Sequence, residues 1–344
     1  MTSPILKRVK TLVFILVFLI ILVFAAGMYL FRSAALNISR DQYIILSNES
    51  NSISLSQQLE REAGLKYPQF FLFLADQMNM APFMKKGRYT VTPKMTLVDL
   101  VRLFREGKMK TADLVIAPGI SLESFASRCG TKLEADTISF YEILEDETFL
   151  STLGFNSQTV YALILPDKYN VYWHETPDEL MTRLKKEYDK FWNSERKAKL
   201  ERCGLTQLEV STLASIVSKE TNKTDEMAKI AGMYINRLKI GMPLQADPSV
   251  KFALKQPGLK RILNEHLQVE SPYNTYKNKG LPPGPICIPG KASIDAVLNF
   301  EEHKFIYMCA KEDFSGYHNF ADNYNLHLRF AAAYRKALDA RGIK

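Results

Sequence analysis

The chain has 344 residues, of which 47% are hydrophobic, and a formal net charge of +8 at pH 7. This composition is ordinary for a globular protein, and the length allows two or three domains. The positive charge is not gathered into the lysine and arginine stripes of a nucleic-acid-binding protein. We therefore expect no nucleic-acid partner.

The first predicted element is an apolar helix that can cross a membrane. Residues 11–31 carry no charged side chain, and at about 1.5 Å per residue they match the roughly 30 Å hydrocarbon core of a bilayer. Three of residues 7–10 are basic and only Arg32 closely follows, which places residues 1–10 in the cytoplasm. A signal peptide cleaved near residues 33–35 is the alternative, but the apolar run exceeds the usual h-region of about 7–15 residues. We expect an uncleaved single-pass anchor in the bacterial inner (plasma) membrane, with the rest of the chain periplasmic or extracytoplasmic.

A short internal repeat follows a polar loop at residues 47–52. Residues 89–100 and 114–125 each read as a β-rich run, a proline turn and a hydroxyl N-cap (Thr96 or Ser121) before an apolar helix. Small α+β modules of this kind, LysM modules among them, commonly bind glycans. A spacer that holds the rest of the chain away from the membrane is the alternative interpretation.

A strongly capped helix is predicted after this repeat. Residues 176–179 read Thr-Pro-Asp-Glu and supply an N-cap, a proline at the first helical position and a capping-box glutamate. Apolar residues then recur at helical spacing up to Trp192. We expect Trp192 in the core rather than as a platform for a sugar ring.

The next helix carries a carboxyl group on its apolar side. Thr206 and Glu209 form a capping box, and an apolar stripe that includes Val217 leads directly to Glu220. A carboxylate on a buried face loses hydration, which raises its pKa. A carboxylic acid that is still protonated near neutral pH can act as a general acid. The alternative is that the helix ends here and Glu220 turns into solvent.

A third helix is predicted from about Asp225 to Leu238. Beyond it, three loops at residues 241–248, 271–276 and 280–286 concentrate amides, phenols, proline and glycine. Such loops can build rigid polar walls around a cleft of sugar size. Plain turn chemistry is the alternative.

The cysteines and the five histidines are widely dispersed, so we expect no metal site. Outside the cytoplasm one or two disulfides are chemically allowed, but pairing cannot be read from spacing. The four cysteines are Cys129, Cys203, Cys287 and Cys309.

Four stretches, LASIVSKET, INRLKIGMPLQADPSV, SPYNTY and GLPPGPI, resemble in sequence and order the YceG-like family of endolytic murein transglycosylases. The similarity covers nearly the whole extramembrane region, and the repeat resembles the family's LysM-like subdomain. The family's acidic motif often has two glutamates flanking a lysine. Here Ser218 takes the first position, so only Glu220 remains for the acid role.

The resemblance implies an α+β fold: one transmembrane helix, a small LysM-like α+β subdomain within residues 32–125, and a larger mixed α+β catalytic domain at residues 126–344. It implies a lyase that cleaves nascent peptidoglycan strands between N-acetylmuramic acid and N-acetylglucosamine, leaves 1,6-anhydro ends and so terminates glycan elongation. No cofactor is implied. Peptidoglycan strands are the expected substrate, membrane lipid is contacted through the helix, and penicillin-binding proteins are candidate partners.

Glu220 is the predicted acid/base, and further residues are predicted to bind substrate. Asp247, in a turn, is expected to cap backbone amides or hold a sugar hydroxyl. Two alternatives remain: a two-carboxylate muramidase with Asp247 as base or nucleophile, and a non-catalytic glycan-binding scaffold. The predicted substrate-binding residues are Asn236, Gln245, Asp247, Tyr273, Asn274, Thr275, His318 and Asn319.

Overall fold

A computed structural model describes residues 4–256, 258–259 and 262–342 of the chain. The chain forms two compact units. The first extends to Ala112 and includes Tyr172–His174; the second comprises Asp113–Val171 and the chain from Glu175 onward. The regular elements of the described residues are helices and short two-stranded sheets, so the predicted α+β class is confirmed.

The first unit begins with the apolar helix. Helix α1 spans Pro4–Arg32, and its stretch Val9–Tyr29 is long and apolar enough to cross a membrane, as predicted for residues 11–31. The remaining elements of this unit are β1 (Gln42–Leu46), α2 (Ser52–Ala63), α3 (Pro68–Gln77), β2 (Gly87–Val91) and α4 (Leu97–Glu106).

Strands β1 and β2 pair antiparallel, from Gln42 opposite Val91 to Leu46 opposite Gly87. Their inward side chains pack with α2, α3 and α4 into one core, in which the rings of Tyr89 and Phe104 lie 4.8 Å apart. Ala35 and Leu36, which follow the anchor helix closely, are buried in this core.

The second unit is mainly helical. Strands β3 and β4 pair with each other, and β5 pairs antiparallel with β6. Helix α11 packs against α12, α13 and α14. The elements are β3 (Thr111–Ile116), α5 (Leu122–Lys132), α6 (Thr137–Ile143), α7 (Glu147–Thr152), α8 (Val160–Leu163), β4 (Asp167–Tyr172), α9 (Pro177–Phe191), α10 (Ser194–Cys203), α11 (Gln207–Glu220), α12 (Thr224–Lys239), α13 (Asp247–Ala253), α14 (Lys291–Leu298), β5 (Tyr307–Ala310), β6 (His318–Ala321) and α15 (Tyr324–Ala340).

The three helices that the sequence predicts from residue 176 to residue 238 are confirmed as α9, α11 and α12. Thr176 and Thr206 both close capping boxes, as expected from the glutamates three residues later. Trp192 is 1% exposed and therefore belongs to the core. Helix α12 exceeds its predicted bounds by one residue at each end.

Both copies of the repeat fold as a strand, a turn and a helix, namely β2 with α4 and β3 with α5. The first copy lies in the first unit, whereas α5 lies in the second, so the repeat does not define one compact unit. The functional division predicted at residue 125 stays a prediction. All four cysteines lie within the described residues and are free thiols.

Candidate functional site

The candidate acid lies at the last residue of a buried helix. Helix α11 ends at Glu220, where the backbone of Thr221 turns extended. Glu220 keeps part of its surface accessible, whereas residues 210–217 of the same helix are buried. The stripe that leads to it is fully buried, with 0% exposure at Val210, Leu213, Ala214 and Val217.

Tyr234 on α12 binds the Glu220 carboxyl group. Its phenol donates a hydrogen bond to Oε1 of Glu220 over 2.8 Å, and the tyrosine is 1% exposed. Among the described residues no other side chain or backbone group makes a hydrogen bond to this carboxyl group. Oε1 therefore acts as an acceptor, and Oε2 is left to exchange a proton. Tyr234 was not among the predicted site residues.

The surroundings of Glu220 favour its neutral form. Burial raises the pKa of Glu220 to about 7. The hydrogen bond from Tyr234 has the opposite effect on the pKa, because it stabilises the carboxylate. The negative charge of Asp247 raises the pKa further, whereas the charges of His318 and Lys251 lower it. A substantial share of the Glu220 carboxyl groups is therefore protonated near pH 7.

Asp247 is the first residue of α13 and lies within electrostatic reach of Glu220. Its Oδ1 accepts a hydrogen bond from the phenol of Tyr276 over 2.6 Å. At the start of α13 no side chain caps the backbone amides, so the backbone-capping role expected for Asp247 is wrong. The phenol that would orient this carboxylate, Tyr276, was not among the predicted site residues.

A buried arginine holds the loop that precedes Asp247. The Arg237 guanidinium is 6% exposed and donates to the carbonyl oxygens of Leu244 (2.6 Å) and Ile306 (2.6 Å). It also lies 3.4 Å from Oε1 of Gln245. The backbone of Gln245 is left-handed, with φ of 52°, and its N–H donates to the Thr275 carbonyl. Arg237 lies three residues after Tyr234 on the same helix. Like Tyr234, it was not among the predicted site residues.

Asn274 and Thr275 support the loops from inside, with exposures of 0% and 1%. The Asn274 amide donates to the carbonyls of Leu267 (2.9 Å) and Val269 (2.8 Å). The Thr275 hydroxyl accepts the N–H of Ala246 over 3.0 Å. Both side chains therefore bind protein groups in this structure.

Tyr273 is partly exposed, and its ring lies 4.7 Å from that of Phe252. The third loop is anchored on α11, because the N–H of Ile286 donates to the Ser215 hydroxyl over 3.0 Å. Gly284 passes so close to the Gln158 carbonyl that a Cβ atom would lie 2.1 Å from its oxygen. Only glycine fits there.

The remaining predicted residues are dispersed around β5 and β6. The Asn236 amide donates to the carbonyls of His303 (2.7 Å) and Phe305 (3.0 Å). The Asn319 amide donates to the carboxylate of Glu312 over 2.9 Å. Neither amide makes a hydrogen bond to the Glu220 carboxyl.

His318 is held by a buried carboxylate. Its Nδ1 lies 2.9 Å from Oε2 of Glu226, and its backbone N–H donates to Oε1 of the same group over 2.8 Å. Glu226 is 6% exposed. The charge of His318 lowers the pKa of Glu220, so His318 belongs to the same site.

Ser218 occupies the position at which the YceG-like family, which the sequence resembles, often has the first glutamate of its acidic motif. Its hydroxyl shares a 2.6 Å hydrogen bond with that of Ser293 and accepts the N–H of Gly290 over 3.1 Å. This position therefore joins α11 to the start of α14. Among the described residues no group of three histidine, cysteine, aspartate or glutamate side chains could hold a metal ion.

Comparison with known proteins gives consistent matches. A model of the YceG-like family matches residues 44–333. The chain is 26% identical over 288 residues to an endolytic murein transglycosylase of Bacillus subtilis, covering 78% of this chain and 79% of the relative. It is 29% identical over 295 residues to an endolytic murein transglycosylase of Streptococcus pneumoniae strain R6, covering 76% of this chain. The chain spans about half (52%) of the length of this streptococcal relative.

A solved structure is also similar. The chain matches the crystal structure of a yceG-like protein from Listeria monocytogenes with a TM-score of 0.56 and 26% sequence identity. The match covers 85% of this chain and 99% of the Listeria chain.

Proposed function

The chain belongs to the YceG-like family, and from that premise we propose that it is a membrane-anchored endolytic lytic transglycosylase of peptidoglycan. It cleaves the β-1,4 bond between N-acetylmuramic acid and N-acetylglucosamine in nascent strands, leaves 1,6-anhydro ends and so terminates elongation. The observation that carries the proposal is the Glu220 carboxyl, held by Tyr234, with a pKa of about 7.

In the first step Glu220 acts as a general acid. Oε2 donates its proton to the glycosidic oxygen as the bond to the anomeric carbon breaks. The Tyr234 phenol stays on Oε1 and stabilises the carboxylate that forms. The orientation of the carboxyl group is thus fixed before the substrate binds.

In the second step the same carboxylate acts as a base. It accepts the proton of the muramoyl 6-hydroxyl, whose oxygen forms the new bond to the anomeric carbon of its own sugar. The nucleophile is tethered in the substrate, so proximity replaces a second protein carboxylate. Glu220 returns to its protonated form, and no water is consumed.

The predicted binding residues divide into two groups in this proposal. Gln245, Asp247, Tyr273 and His318 contact the glycan in the cleft. Asn236, Asn274, Thr275 and Asn319 hold the cleft's walls through the protein groups that they bind.

The anchor and its surroundings complete the proposal. Residues 1–10 are cytoplasmic, residues 126–344 form the extracytoplasmic catalytic domain, and the LysM-like part of residues 32–125 binds glycan or acts as a spacer. Membrane peptidoglycan synthases are candidate partners. Protease added to intact spheroplasts should digest the large domain without detergent; protection of that domain would contradict this topology.

Product analysis tests the activity. The purified full chain is incubated with murein in ¹⁸O-labelled water, and the muramoyl ends are measured by mass spectrometry. We expect anhydro ends without label, and a loss of about 10²–10⁴-fold in rate for Glu220→Gln. Glu209→Gln, on the same helix, is the matched control and should retain activity. Labelled reducing ends would identify the two-carboxylate muramidase instead, and no product from the wild type would identify a scaffold.

A further inference from the structure

Three aromatic rings continue from the anchor helix onto the surface of the first unit. Phe31, in the last turn of α1, meets the ring of Phe70 edge-on with centroids 5.8 Å apart. Phe70 in turn stacks on Phe73 at 6.0 Å, with the two planes 14° apart. Phe73 is 55% exposed. We name these residues the aromatic strip.

Helix α3 turns one face to the core and the strip outward. Phe71, Leu74 and Ala75 are buried with exposures of 6% or less. The outward face is aromatic near the anchor and becomes polar at its far end, where Asp76 and Gln77 are exposed. A single exposed phenylalanine is common on protein surfaces. A run of rings in contact with the end of an apolar anchor is a continuous apolar surface that needs a partner.

The end of the anchor places this strip near the edge of the bilayer. The apolar span ends at Tyr29, two residues and roughly 3 Å along the axis before Phe31. Aromatic side chains are enriched at this level of a membrane. Arg32 and Lys66 are exposed beside the strip, and the Lys66 ammonium donates to the Ala34 carbonyl over 3.2 Å. Cations at this level are attracted to anionic headgroups.

On the premise, taken from the proposed function, that α1 lies in the bilayer, we propose that the aromatic face of α3, formed by Phe70 and Phe73, rests on the same membrane. Phe73 inserts at the boundary between headgroups and acyl chains, and Arg32 and Lys66 face lipid phosphates. This second contact holds the first unit on the membrane surface in a fixed orientation. The bilayer is thus a partner of the folded unit as well as of the anchor.

Fluorescence quenching by brominated lipid tests the contact. The full chain carrying Phe73→Trp is reconstituted in vesicles of phosphatidylethanolamine and phosphatidylglycerol, with and without lipids brominated high in the acyl chain. The signal of the unsubstituted chain is subtracted to remove Trp173 and Trp192. The expected result is a blue-shifted added emission that loses most of its intensity with brominated lipid.

Ile53→Trp is the matched control in the same unit. Ile53 is 62% exposed at the start of α2, whereas the other end of α2 meets the post-anchor segment through the Asn37 N–H bond to the Ala63 carbonyl. Ile53 lies ten residues before Ala63 in α2, which places it about 15 Å along the helix axis from that junction. Its tryptophan should keep its emission.

Quenching at residue 73 alone supports the inference, and equal quenching or no quenching at both positions overturns it. Flotation with vesicles is measured on the same samples, so a chain that fails to float overturns the inference together with its anchor premise. Both variants are also assayed on murein. Unchanged turnover without quenching would sink the membrane contact while leaving the proposed enzyme intact.

Discussion

Glu220→Gln is expected to make the folded chain more stable than the wild type at alkaline pH. Burial raises the pKa of Glu220 from 4.5 to about 7 in the folded chain. Between these two values the unfolded chain binds fewer protons than the folded chain, so the wild type loses stability as the pH rises through this window. A glutamine stays neutral at every pH and keeps an oxygen that can accept the Tyr234 hydrogen bond.

The size of the effect follows from the two pKa values. Each pH unit between them corresponds to about 1.4 kcal/mol, which sets an upper limit of roughly 3–4 kcal/mol at pH above 7. Because Glu220 keeps part of its surface accessible, solvent screening reduces this figure, and we expect about 1–3 kcal/mol. Near the unfolded value of 4.5 the two proteins should differ little.

Unfolding of the full chain in one mild detergent measures this difference. Wild type, Glu220→Gln and the control Glu209→Gln are compared from about pH 5 to about pH 8. The advantage of Glu220→Gln should grow across this range, whereas Glu209→Gln should gain nothing, because a charged carboxylate is favourable at the start of α11. If the unfolding free energy of the wild type instead rose relative to that of Glu220→Gln with increasing pH, the interpretation of Glu220 as a buried neutral acid would be refuted.

Three further changes test the surroundings of the acid. Tyr234→Phe removes a donor that lowers the Glu220 pKa, so the alkaline limb of the kcat/KM profile should move to higher pH. The maximum of kcat/KM should fall by about tenfold. An alkaline limb that does not move would count against this role of Tyr234. Asp247→Asn removes a charge that raises the same pKa, so the limb should move to lower pH and mass spectrometry should still find anhydro ends. Asn274→Ala leaves two carbonyls without their donor and should lower the unfolding free energy, measured with urea, by about 1–3 kcal/mol.

The helices were predictable because their signals are local. The capping boxes at Thr176 and Thr206 each lie within four consecutive residues, and the structure shows both. The placement of Glu220 on the buried side of α11 followed from the same periodicity, since one stripe fixes which residues face inward. The rise of its pKa depends on the neighbours that folding brings together.

The roles of the polar candidates were not predictable from spacing, because their partners are distant in sequence. Asn236 binds the carbonyls of His303 and Phe305, which lie 67 and 69 positions later in the chain. Arg237 binds a carbonyl 69 positions away, so its part in holding the loop before Asp247 appears only after folding. Tyr234 was closer to prediction, because its partner Glu220 lies 14 residues earlier on the preceding helix.

The raised pKa is what allows one carboxyl group to serve both steps of the proposed reaction. A glutamate with the ordinary pKa of 4.5 is protonated in fewer than about one molecule in a hundred at pH 7. Burial at the end of α11 raises that share to a substantial fraction, so the acid form that the first step needs is populated, and the first step itself produces the carboxylate that the second step needs. The Tyr234 hydrogen bond limits the rise and so keeps the carboxylate accessible for the second proton transfer. The apolar stripe of α11 therefore contributes to the chemistry through the pKa as well as to the core.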